Sequence, residues 1–197
     1  MNNLLLVLSF LFCSSLLHAQ EDAIMWTEDT ELTWDNYGDP PFVDPDMPMN
    51  ALTSAKPTVE MTSMQKGGNV ELKFVVETVF SPRDSWAIEK NGPDFLLKQE
   101  QIRFDIAELF SRKLRKALQD YTYSNNYAEE YIRVYNRIVA ERNDYQALYD
   151  FETQYGGNQK KQKAWAKEVE KSLENFSDYT DAEFIVNARI TPGQTEN

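Results

Sequence analysis

The sequence predicts an α+β fold, with strands first, helices after, and an acidic arm in front. Three observations predict it. Between Val70 and Phe80, the residues Val70, Leu72, Phe74, Val76, Thr78 and Phe80 alternate with Glu71, Lys73 and Glu77, the period of two that marks a half-buried strand. From Phe95 onward the apolar spacing changes to that of a helix and keeps it through three segments,. Finally, Glu21 to Ala55 holds nine acidic residues and no Lys or Arg. Pro40, Pro41, Pro45 and Pro48 in that stretch remove backbone donors and oppose regular structure,.

The first residues are different in kind. MNNLLLVLSFLFCSSLLHAQ carries no charged side chain, Leu4 to Leu17 is apolar apart from small residues, and Leu17-His18-Ala19 precedes Gln20 as a signal-peptidase site does,. Residues 1–19 are therefore expected to be a cleaved signal peptide, which makes the protein secreted or periplasmic. Phe12 before Cys13 does not suit lipid modification. The chain's single histidine, His18, and single cysteine, Cys13, leave with this segment. The mature protein then has no conventional zinc or thiol chemistry and no disulfide. About 177 residues remain, enough for one domain with a sizeable core, and no later apolar run approaches membrane length. The net charge of −12 is concentrated in the arm. It repels nucleic acid and anionic membrane alike.

Residues 20–56 form the arm, and Trp26, Trp34, Tyr37 and Phe42 suggest that it packs on a single domain spanning 57–197. Thr58 to Met64 reads as a short strand. The turn Lys66-Gly67-Gly68-Asn69 joins it to the strand at Val70 as a hairpin, which Ser81-Pro82-Arg83-Asp84 ends,. Helix one runs from Phe95 to about Tyr121 with Asp94 as N-cap. Helix two covers about Asn126 to Gln154, with Gly156-Gly157 closing it. Its stripe of Tyr131, Tyr135, Tyr145 and Tyr149 reads as packing,. Helix three covers Asn158 to Phe176. Phe184, Val186, Ala188 and Ile190 alternate as a last strand. Gly67-Gly68 is a turn and not a phosphate loop.

On a helical wheel, Ile102, Ile106, Phe110, Leu114 and Ala117 share one face of helix one, and Lys98, Gln101, Asp105, Arg112 and Lys116 lie opposite. Lys113, Arg115 and Lys116 read as a charged helix end that favours the dipole and needs no partner. Gln99 and Arg103, four residues apart, fall near the centre of the apolar face. A buried arginine needs a carboxylate, and Glu100 and Glu152 are the candidates. The same i, i+4 spacing on an inward face is where a zincin helix holds two metal-binding histidines, with a glutamate after the first. Here that glutamate is Glu100.

LLKQEQIRFDIAELFSRKLRKAL resembles the signature helix of domain of unknown function family 922, exported bacterial proteins described as zincin-like proteases, whose pattern is similar to LLxHEQxHFDIAExxARKLRKxL. LTWDNYGDPP, Ser85-Trp86 and YDFETQYGGNQKKQKAW resemble further family motifs, in order, over nearly the whole mature chain. The resemblance implies a zincin-like fold and a zinc-dependent protease with three ligand histidines. Those positions read Gln99, Arg103 and, in a Glu-Thr-x-His-Gly pattern, Tyr155. Glu100 matches the general base that would activate zinc-bound water.

The expectation that follows is an exported zincin-like pseudoenzyme: no cofactor, a vestigial Glu100, degenerate ligand positions at Gln99, Arg103 and Tyr155, and a binding or structural role. Arg103 would hold the first two helices together through a carboxylate such as Glu100 or Glu152, and the partner this reading implies is a protein or peptide in the former cleft. Two alternatives are weighed beside it. One is a residual hydrolase drawing on Glu100, Asp105, Glu108, Asp150 and Glu152, with an oxygen-ligand metal or none. The other is calcium binding by Asp39, Asp44 and Asp46 in the arm, which lacks EF-hand spacing.

Overall fold

The computed structural model describes residues 23–42, 49–66 and 69–189. The signal segment, Cys13, His18, Asp44, Asp46, the turn glycines Gly67 and Gly68, and Ile190 lie outside them. The architecture is α+β, an antiparallel sheet on three helices.

The sheet is organised by its hairpin. β3 (Ala55–Lys66) and β4 (Asn69–Phe80) pair in unbroken antiparallel register from Lys66↔Asn69 to Ala55↔Phe80. The first strand is longer than the predicted Thr58–Met64 because it runs through Pro57. β3 is an edge strand, and the missing N–H of Pro57 falls on its open side, where no ladder bond is lost. The other edge of β4 is shared. β6 (Glu183–Ala188) pairs along Val70–Val75, and β1 (Ile24–Met25) pairs at Val79–Phe80. The gap between them is closed by three contributions. Val76 N–H donates to Ala182 O (2.8 Å), Trp26 N–H to Thr78 O (3.0 Å), and the Arg115 guanidinium to Val76 O (2.9 and 3.1 Å). A small second sheet pairs β2 (Ala51–Leu52) with β5 (Trp86–Ala87), and Gly38 bridges to Trp86.

The arm is thus part of the fold. It supplies β1 and β2, and the boundary expected at residue 56 falls inside β3. Leu32 and Tyr37 are buried with Phe80 and Phe104 in a second core cluster. Trp26 Nε1 donates to Asp105 (2.9 Å) and Trp34 Nε1 to Gly92 O (3.0 Å). Leu32 N–H donates to Gln101 Oε1 (2.8 Å). Phe42 stays 64% exposed and does not join this packing.

The helices are α1 (Asp94–Asp120), α2 (Tyr127–Thr153) and α3 (Gln159–Asn175). Pro93, rather than Asp94, holds the N-cap of α1. Asp94 is the first helical residue, where its charge favours the helix N-terminus,. α2 ends earlier than Gly156-Gly157 predicts. Gln154 (φ 52°) and Tyr155 (φ 49°) already adopt left-handed conformations before Gly156 (φ 95°), which costs side-chain-bearing residues on the order of 1 kcal/mol each. Among the described residues no helix is long and apolar enough to cross a membrane.

The main core packs Leu72, Phe74 and Val76 of β4 against Ile106, Phe110 and Leu114 of α1, with Val134, Ile138 and Tyr149 of α2 and Trp165 and Val169 of α3. Each large apolar side chain so buried contributes roughly 1.5–3 kcal/mol. The wheel's polar face of α1 is only partly polar surroundings, because sheet, arm, α2 and α3 enclose the helix nearly all round. Arg112 and Arg115, expected on the outside, are buried. Both donate to Glu108 Oε1 at 2.9 Å, and they also reach Leu173 O and Tyr179 O. Thr78 donates to the other Glu108 oxygen, and the Trp26 ring lies 5.3 Å from the Arg112 guanidinium carbon.

Asp105 joins the arm to α1 at some electrostatic cost. Burial raises its pKa above the ordinary carboxylate value, partly offset by hydrogen bonds from Trp26 and Gln101, while Glu108 adds to the rise. Folding then favours the protonated form. The native state loses stability as pH climbs from the unfolded carboxyl pKa through the raised folded value. Asp105→Asn keeps an oxygen for both donors and removes the charge. It should raise the denaturation midpoint at pH 7, with the gain shrinking toward about pH 3, below the ordinary carboxyl range. Urea titrations of both proteins at the two pH values check this.

Candidate functional site

The residues singled out by the helix pattern come together at the N-terminal half of α1. Gln99, Glu100 and Arg103 are all buried, with exposures of 1%, 1% and 6%. This stretch of α1 meets Thr53, just after β2, on one side and Asp150, in the C-terminal half of α2, on another. Helical spacing puts Gln99 and Arg103 on one stripe, and Glu100 is a hundred degrees round from Gln99, toward β2.

Glu100 is held from two sides. The Thr53 hydroxyl donates to Oε2 at 2.7 Å, and the Arg103 guanidinium donates to Oε1. Since the single Thr53 proton is committed to the carboxylate, the Tyr37 hydroxyl must be the donor in its 2.8 Å contact with Thr53,. Burial raises the Tyr37 pKa, and Glu100 adds to the rise while the Thr53 contact and Arg103 oppose it. The phenol therefore stays protonated, as this chain of donors requires.

Arg103 also reaches α2. Its Nε and Nη2 donate to Asp150 Oδ1 at 3.1 and 2.7 Å. Burial alone would lower its pKa, but Glu100 and Asp150 outweigh that and hold it above the ordinary arginine value. The guanidinium is a fixed cation between two carboxylates, and it ties α1 to α2. The helix-joining carboxylate is Asp150 and not Glu152. Glu152 lies two residues on, about 200° round the helix, accepts from Trp165 Nε1 (2.9 Å) and Lys161 (3.1 Å), and so joins α2 to α3. Asp150 could have been found from its position in helix two, but two carboxylates within three residues left the choice to the face that α2 turns toward α1.

Gln99 is the odd member. Among the described residues neither its amide oxygen nor its nitrogen has a hydrogen-bond partner, although its backbone carbonyl accepts from the Tyr149 hydroxyl at 3.2 Å. Gly156 packs directly on it. A β-carbon on Gly156 would lie 1.9 Å from Gln99 Oε1, so the loop after α2 closes over this side chain only because residue 156 has none. Tyr155, one residue before, is half-buried and lines a cavity of about 260 Å³ with Asn50, Ile88, Pro93, Phe95 and Leu96.

The remaining candidate carboxylates do not converge. Asp105 faces the arm, Glu108 is enclosed by two arginines, Asp150 is paired with Arg103 and Glu152 with α3. Asp39 makes an exposed ion pair with Lys90 (3.0 Å). Among the described residues no three His, Cys, Asp or Glu side chains are grouped as a metal site requires.

Sequence reasoning missed Thr53, which carries no motif. It also missed the Glu108–Arg112–Arg115 cluster, whose i, i+4 and i+7 spacing was the available signal. Comparison with protein-family models, curated proteins and solved structures gives no match.

Two substitutions test this geometry. Arg103→Met leaves Glu100 buried beside a removed partner and should cost about 3–5 kcal/mol. Most of that should return in Arg103→Met/Glu100→Met, measured by chemical denaturation. Gly156→Ala should cost about 2 kcal/mol, partly from its positive φ and partly from the clash. Adding Gln99→Ala should recover the steric part alone in a double-mutant cycle.

Proposed function

We propose that this chain is an exported zincin-like pseudoenzyme: a domain that keeps the helix of a metalloprotease site without the metal, and whose role is binding or structural. The observation that carries this reading is the Arg103 guanidinium. It occupies the position matched to the second ligand histidine and donates to Glu100, the residue matched to the general base. A general base must present its carboxylate to a water. Here both Glu100 oxygens accept from protein donors, Thr53 and Arg103. A cation fixed at this spot also repels a metal ion. Loss of the metal removes what lowers the water pKa to about 7 in zinc hydrolases.

The structural role has the firmer support. Arg103 ties α1 to α2, and Arg142 donates to Ala55 O, tying α2 to β3. A protein or peptide entering the former cleft would have to displace these internal bridges. Export rests on the charge-free leader 1–19, and the zincin-like identity on the ordered motifs around Gln99, Arg103 and Tyr155.

The test is to restore the ligands. In Gln99→His/Arg103→His/Tyr155→His, zinc uptake at one ion per chain, with none in the natural protein, supports a vestigial site. A triple variant that is folded by circular dichroism yet takes up no zinc would sink the mapping. Stoichiometric zinc in the natural protein, with cleavage of an unfolded protein substrate, would overturn the non-catalytic reading.

A further inference from the structure

β3 is open on its outer side. Among the described residues it pairs with β4 alone. Which of its backbone groups face outward follows from β4. Val76 N–H and Thr78 O bond away from β3, to Ala182 and Trp26. The even residues of β4 therefore face away from the hairpin and the odd ones bond to β3. Through the register, odd β4 residues meet even β3 residues, so the odd residues of β3 turn their N–H and C=O outward. Two side-chain contacts agree. Arg142 of α2 donates to Ala55 O, and the Tyr135 hydroxyl donates to Pro57 O at 3.4 Å.

Those contacts also divide the edge. Its first part is capped by Arg142 and Tyr135 and has no donor at Pro57. Beyond it the backbone groups of Val59, Met61, Ser63 and Gln65 face outward. The Val59 and Met61 side chains are half-buried against the core, and the strand is exposed from Thr62 on, with Met64 66% accessible. Edges of this length are usually protected by bulges, prolines or inward charges. This half has no bulge, proline or inward charge, and its two charges, Glu60 and Lys66, lie on the solvent face.

We propose that this edge pairs with the same edge of a second copy of the chain, antiparallel about a two-fold axis at Thr62. The four outward residues are symmetric about Thr62, so Val59 meets Gln65 of the second copy and Met61 meets its Ser63. Every open donor and acceptor among the four is used. On the solvent face Thr62 meets Thr62. Glu60 of each copy lies diagonal to Lys66 of the other, within reach of long side chains. The exposed Lys66, paired with Glu71 across its own hairpin (3.1 Å), thus stands between two carboxylates, and no like charges stand opposite. That self-complementarity selects a second copy over an unrelated extended chain. The pairing joins two sheets into one and is independent of the state of Glu100.

The test is sedimentation of the mature chain from micromolar to near-millimolar concentration, with hydrogen exchange read at Val59 to Gln65. A concentration-dependent dimer that protects those amides is expected. Ser63→Pro removes an outward N–H and leaves the β3–β4 ladder intact. It should weaken association at least roughly tenfold with an unchanged circular dichroism spectrum. Glu60→Lys should weaken it roughly tenfold, and Glu60→Lys/Lys66→Glu/Glu71→Lys, which keeps the ion pair within the hairpin, should restore it. Sedimentation as a monomer throughout, or a dimer indifferent to Ser63→Pro, would overturn the proposal. So would a monomer whose edge amides are protected only by an added extended peptide.

Discussion

A helix enclosed nearly all round must bring its counter-charges inside with it, and α1 is such a helix. Its sequence carries too many charged residues to lie in an apolar core, and burying an unpaired charge costs several kcal/mol. The structure meets this with two ionic clusters on one helix. Glu100 and Arg103 are completed by Thr53 and Asp150, and Glu108, Arg112 and Arg115 are completed by Thr78 and the carbonyls of Val76, Leu173 and Tyr179. Each cluster draws its partners from other elements, so the placement of β2, β4, α2 and the segment after α3 is tied to charges on α1.

The two clusters differ in what they join. The second is a structural cross-link. Arg115 fills the interval on β4 that neither β1 nor β6 covers, where a bare carbonyl would otherwise be buried without a donor,. The first occupies the position where the resemblance implies a metal centre, and under the proposed reading a guanidinium stands where the metal's charge would be. A zinc ion and an arginine are both cations beside a glutamate. The arginine, however, has no open coordination position and presents no water. Gln99, with its two unpartnered amide atoms under Gly156, is the part of this arrangement that no group among the described residues completes.

Much of the fold was legible because it rests on local periodicity. The alternation in Val70–Phe80 and the helical spacing after Phe95 gave elements within a few residues of those seen. Departures occur where a neighbour overrides local chemistry. β3 extends through Pro57 because that residue lies on the open edge. Gln154 and Tyr155 turn left-handed ahead of the glycines because the loop must close over Gln99. Arg112 and Arg115 are inside because a wheel ranks residues by polarity and has no knowledge of a partner such as Glu108 waiting within the core.

By itself the sequence determined the class of fold, the unusual placement of Gln99 and Arg103 on an apolar stripe, and the need for a carboxylate beside Arg103. Those follow from spacing along one chain and from the cost of a buried charge. Only the tertiary structure decided that the carboxylates are Glu100 and Asp150, that Thr53 and Tyr37 complete the chain of donors, and that the arm belongs to the sheet. Glu100 stands three residues from Arg103 and was already a candidate; the other contacts join residues 16 or more positions apart, and the face that α2 turns toward α1 selects Asp150 over Glu152. No one-dimensional pattern contains the way two helices face each other.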